Sequence, residues 1–146
     1  MDIFKQLKKD HDEVKEMFEK LTQTRQPSSR KKIMDKINKE LTSHIKLEEK
    51  HLYAHMQKHD ELKDMALKGH EEHEIVKKLL REISRTDDSG KWMAKFHVME
   101  ELVQMHIKEE EKQIFKKASQ VLGRSMSQEL GEKYDREHEQ MMAKAA

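Results

Sequence analysis

The sequence predicts an all-α fold, an up-down-up-down four-helix bundle with a short C-terminal fifth helix. Three observations predict it. Apolar residues recur at alternating steps of three and four through four segments, the spacing of helices with one buried stripe. Charged residues make up 40% of the 146-residue chain and hydrophobic residues 34%, with one Pro and four Gly, a balance that suits long half-exposed helices better than sheet. The segments are separated by short stretches of turn formers. One domain is expected over 1–146, with the bundle over about 2–121 and the C-terminal helix over about 125–144.

Each element can be justified in turn. The first stripe is Phe4, Leu7, His11, Val14, Phe18 and Leu21. TRQPSSR breaks it, with Pro27 and the serines suited to a turn and a new N-cap. The second stripe is Ile33, Ile37, Leu41, His44, Glu48 and Leu52, and the next turn falls near His59-Asp60, with Asp60 as the expected cap. The third is Leu62, Ala66, Gly69, His73, Val76, Leu80 and Ile83, ended by TDDSG at 86–90. The fourth is Trp92, Phe96, Met99, Val103, His106, Glu110 and Ile114. Gly123 ends the regular pattern, and Ser125 with Gln128 fits a capping box for a fifth helix.

Composition excludes several functions. Net charge is +1 with Lys and Glu interleaved, so no basic stripe offers itself to nucleic acid. No apolar run is long enough to span a membrane, and the N-terminal stretch carries charges where a signal peptide needs apolar residues, so a cytoplasmic location is expected. The absence of cysteine removes disulfides, iron–sulfur ligation and thiol catalysis. The ten histidines are many for this length, and histidine is the commonest metal ligand.

All four stripes are interrupted at one level. His11, His44 with Glu48, His73, and His106 with Glu110 stand where apolar residues belong. Burying such groups is costly unless they are paired or bound to metal. A repeat fixes their register. His11 to His73 and His44 to His106 are both 62 residues apart, and the text around them repeats, so the chain reads as two similar helical hairpins. The midpoints of successive histidines fall at Pro27/Ser28, Lys58/His59 and Ser89/Gly90, at or beside the expected turns. All four therefore belong at one height, about 24 Å from each turn at ~1.5 Å per residue.

His-x-x-x-Glu places an imidazole and a carboxylate one turn apart on one face. Two such pairs with two further histidines supply six ligands, enough for a two-metal site in a bundle core. If both glutamates bridge, each metal has four protein donors. A bridging oxygen makes five and leaves an open position, the feature that separates reactive from structural sites. The metal set is thus His11, His44, Glu48, His73, His106 and Glu110, with His70 as the alternative to His73. His70 lies about 60° off the stripe, and its 62-residue counterpart is Lys8. His97 lies half a turn from the His106 face, and His51, His55, His59 and His138 read as surface, rim or cap residues. Glu49, Glu109 and Glu111 read as outer-face charges or partners of the histidines. A ferritin-like site needs two Glu-x-x-His motifs, and only Glu48-x-x-His51 is present.

The ordered set Asp10-His11, His44-Ile45-Lys46-Leu47-Glu48-Glu49, Glu71-Glu72-His73-Glu74 and His106-Ile107-Lys108-Glu109-Glu110-Glu111 resembles the hemerythrin-like, or HHE cation-binding, family. The resemblance implies two iron ions with an oxo or hydroxo bridge, His11, His44, His73 and His106 as terminal ligands, and Glu48 and Glu110 as bridges. Two departures separate this chain from the oxygen carriers. They have a further histidine where this chain has Gly69, and an Asp where it has Glu111. It is more similar to bacterial four-His, two-Glu proteins, which include di-iron proteins of iron–sulfur repair. Those usually carry a cysteine-containing N-terminal domain, whereas this sequence has no cysteine. The function expected is binding or reduction of O2, NO or hydrogen peroxide, with no nucleic acid or membrane partner. The alternative is storage, delivery or sensing of iron without catalysis.

Overall fold

A computed structural model describes residues 1–145. The helices are α1 (Ile3–Gln23), α2 (Pro27–Glu48), α3 (Ala54–Met56), α4 (Asp60–Ser84), α5 (Ser89–Glu109) and α6 (Phe115–Ala145). Two π-helical turns, Glu49–Tyr53 and Glu110–Ile114, join α2 to α3 and α5 to α6. No strand occurs among the described residues.

Local chemistry sets the helix ends. Asp2 caps α1 and Asp88 caps α5, each carboxylate accepting a bond of 2.9 Å from the backbone N–H three residues on. Pro27 occupies the first turn of α2, where its missing N–H costs nothing. Asp60 does not cap α4. The extended residue before the helix is His59, and Asp60 and Glu61 fill the first turn, where their charge complements the helix dipole. The Ser125–Gln128 box does not form either. Gly123 has φ 82 and ψ 167, which breaks the rod, and the helix resumes directly after it. Ser127 Oγ then donates to Gly123 O at 2.7 Å.

The π turns are the feature that helical periodicity does not carry. Each begins within a residue of Glu48 or Glu110 and widens the helix by one residue. At their ends consecutive residues turn inward, His51, Leu52 and Tyr53 in the first and Ile114 with Phe115 in the second.

The core is divided in two. One apolar cluster, including Phe18, Ile37, Leu80, Phe96 and Val103, fills the end nearest the α1–α2 and α4–α5 turns. The other, including Ile3, Leu7, Leu52, Leu62, Phe115 and Leu130, fills the opposite end. Between them lies the buried polar layer of His11, His44, Glu48, His73, His106 and Glu110. The second part of α6 folds back along α1 and α2. It is held there by bonds from Tyr134 to Asp10, from Lys50 to Glu137 and between His138 and Glu40.

Candidate metal centre

Four helical rods each deliver one histidine to the layer, and the two rods that pass through π turns also deliver a glutamate. The structure brings all six predicted residues together. His11, His44, Glu48 and Glu110 each offer an atom within 4.8 Å of the others, and so do Glu48, His73 and His106. Each glutamate reaches both halves. Glu48 Oε1 is 3.0 Å from His73 Nε2 and 3.7 Å from His44 Nε2. Glu110 Oε1 is 3.3 Å from His106 Nε2 and 3.4 Å from His11 Nε2.

These approaches converge on shared centres. His11 Nε2, both Glu48 oxygens and Glu110 Oε1 are fully buried without a hydrogen-bond partner. A buried polar atom left unpaired costs about 1–3 kcal/mol, more when charged, so several clustered at one level call for a ligand. Imidazole nitrogen and carboxylate oxygen are suitable donors for iron, zinc or manganese. The donor chemistry of both groups fits bound cations, and Glu48 belongs to both groups.

The opposite ring nitrogens are each held by a carboxylate. His11 Nδ1 meets Glu111 at 2.8 Å, His73 Nδ1 meets Glu49 at 2.8 Å, His106 Nδ1 meets Glu72 at 2.7 Å, and His44 Nδ1 meets Asp10 at 3.3 Å. Such bonds fix the Nδ1–H tautomer and aim Nε2 inward. The carboxylates obey the same repeat as the histidines, since Asp10 to Glu72 and Glu49 to Glu111 are again 62 residues. Sequence reasoning gave no role to Asp10 or Glu72, although that offset marks both. Glu109 belongs elsewhere, bonded to Lys68 at 2.9 Å.

Charge is compensated inside the layer. Burial disfavours the imidazolium of His11, yet Glu110 and Glu111 override it and raise its pKa to about 9. His73, similarly buried, is raised to about 9 by Glu48 and Glu49. Glu110 and Glu72 take His106 to about 11 against the same opposition. Burial alone would push the Glu110 carboxyl up, but His106 and His11 hold it well below its ordinary range. Protons thus stand in for cations, and metal binding must displace them.

The internal two-fold is broken beside the layer at Tyr53. Tyr53 and Phe115 are 62 residues apart, and each stacks on a histidine, Tyr53 on His73 at 5.2 Å and Phe115 on His11 at 5.9 Å. Only Tyr53 carries a hydroxyl. It donates to Glu110 Oε2 at 2.7 Å and stands 3.5 Å from His106 Nε2. Gly69 makes the room, because a Cβ there would meet the hydroxyl and ring of Tyr53. Leu7 occupies the counterpart of Gly69 and is fully buried.

The remaining histidines lie outside the layer. His70 is 45% exposed and meets Glu49 and Glu74. His97 is exposed beside Glu100. His51 is buried rather than surface-exposed, because the C-terminal helix covers it and Glu137 bonds its Nε2 at 2.8 Å. On the opposite side of the histidine level from the glutamates is a cavity of about 20 Å³ with apolar walls. Val14 with Val76, Leu41 with Val103 and Ile45 with Ile107 line it as 62-residue pairs, and all four histidines reach it.

An all-helical domain with a buried histidine–glutamate layer is a metal-binding bundle. The family model described as hemerythrin HHE cation binding domain matches residues 2–118, and the chain belongs to that family. Its fold is similar to the crystal structure of a hemerythrin HHE cation binding domain-containing protein, the Rv2633c homolog from Mycobacterium kansasii. The TM-score is 0.86 at 22% identity, over 99% of this chain and 90% of the other. A search of curated proteins finds no match. No helix among the described residues is long and apolar enough to cross a membrane.

Proposed function

We propose that the chain holds two iron ions through His11, His44, Glu48, His73, His106 and Glu110, and that the centre binds or reacts with a small oxidant such as O2, NO or hydrogen peroxide. The observation that carries this reading is the apolar cavity set against all four histidines. It has room for about one water-sized molecule. It is too small for a hydrated cation, and its mostly apolar surface suits a small, weakly solvated ligand such as O2 or NO, which favours reaction over storage or delivery of iron.

Bound iron would supply an open coordination position and electrons shared between two ions. The protein contributes the rest. Glu48 and Glu110 reach both halves of the layer and can hold two cations side by side. The four outer carboxylates keep each Nε2 directed inward. Val14, Val76, Leu41 and Val103 exclude bulk water on the cavity side. Tyr53 supplies a proton-bearing group against the layer, at Oη. Burial, with the charges of Glu48 and Glu110, raises its pKa well above the ordinary value, so the hydroxyl stays protonated and bonded to Glu110.

Val76→Ile and Val103→Ile each add one methylene facing the cavity. Both variants should keep the iron content of the parent and react more slowly with NO and peroxide, followed by stopped-flow absorbance. Unchanged rates with a filled cavity would remove the oxidant reading and leave iron handling.

A further inference from the structure

The four imidazole–carboxylate pairs are not equivalent, and the difference comes from the C-terminal helix. Three histidines donate Nδ1–H to one carboxylate at 2.7–2.8 Å. His44 instead stands between two longer partners, Asp10 Oδ2 at 3.3 Å and Tyr134 Oη at 3.2 Å. Tyr134 donates its own hydroxyl proton to the same Asp10 oxygen in a close contact. That oxygen therefore serves two donors. Asp10 and Tyr134 are both buried, whereas Glu49, Glu72 and Glu111 are partly exposed. The Tyr134 ring stacks on His138 at 5.9 Å and 10°, and His138 lies 3.4 Å from Glu40, so the tyrosine has little freedom to turn away. The counterpart corner, Glu72 with His106, has no such hydroxyl.

A carboxylate bonded to the outer nitrogen of a ligating histidine makes the imidazole a better donor. A carboxylate oxygen shared with a second donor gives less. We propose that Tyr134 is a positioning residue that draws Asp10 away from His44 and leaves this imidazole the least firmly supported of the four, so that the His11/His44 half of the centre is the weaker, more readily emptied position. The inference rests on the two-metal reading above. It makes the docking of α6 a determinant of how unequal the two halves are, beside the difference between Tyr53 and Phe115.

Tyr134→Phe tests it, keeping the ring and removing the hydroxyl. In metal-free protein, the ¹H–¹⁵N imidazole spectrum reads His44 directly. Its Nδ1 proton should move downfield in the variant as Asp10 turns to it alone, and the His106 proton should stay. In protein loaded with Fe(II) and mixed with ferrozine, the parent should release iron in two phases. The variant should slow the faster phase, by up to about tenfold. Glu72→Gln, at the partly exposed counterpart, should instead speed the slower phase. A His44 proton that stays or moves upfield in Tyr134→Phe, or iron release unchanged or faster, would overturn the role of Tyr134. A parent protein that takes up no iron, with the downfield shift still present, would overturn the two-metal reading and leave the Tyr134–Asp10–His44 geometry standing.

Discussion

Each of His11, His73 and His106 must serve two states. Without metal its proton neutralises a glutamate that cannot reach water. With metal the same nitrogen must be bare. The sign of the pH dependence follows. His11, His73 and His106 have folded pKa values above the usual 6.5, at about 9, 9 and 11. Their protonation stabilises the metal-free fold fully below about 6.5, and this contribution is lost as pH rises through those values. Metal competes with the same protons, so affinity rises over the same interval. The melting temperature of chelator-treated protein should therefore fall between about pH 7 and 10, while the gap to metal-loaded protein widens. Thermal melts across that range check this, and parallel profiles would contradict it.

At the scale of the element, two devices position the site. The π turns, which start at or just after the inward-facing glutamates, bring Tyr53 and Phe115 under the layer. The second device is Gly69 on α4, against which the Tyr53 hydroxyl packs. Tyr53 is fixed by its stack on His73 and its bond to Glu110, so it cannot yield cheaply. Gly69→Ala should cost about 1–3 kcal/mol by overpacking, beyond the gain that alanine brings to a helix interior. Urea denaturation of metal-free protein measures it, and a stabilised variant would show that Tyr53 is not confined there. Helix positions were legible because each stripe is regular and each break carries Pro, Asp, Ser or Gly. The π turns were not, because a one-residue bulge leaves no breaker, only a shift in which residues are buried. The Asp60 cap and the Ser125 box were misread for a related reason. Several polar residues crowd each helix start, and backbone geometry decides which one stands outside the first turn.

On the scale of the whole molecule, the chain is two hairpins in one register, with a last helix laid over the first. The register made the layer legible. A 62-residue offset shared by histidines, glutamates and apolar neighbours needs only counting. What stayed hidden depends on distant segments. Asp10 meets Tyr134 across 124 residues, and nothing in the sequence around either residue announces the contact. The covering of His51 by Glu137 is of the same kind. The two apolar clusters lie on either side of a layer of charge, so occupation of that layer should determine how firmly the halves are joined.

The most direct test of the central claim is the metal content of the reconstituted protein, parent against His44→Ala and His97→Ala, with helicity checked by circular dichroism. The account predicts about two irons per chain in the parent and in His97→Ala, and about one, or affinity lowered roughly tenfold or more, in His44→Ala. Equal metal content in the two variants, or a folded parent that takes up none, would contradict it.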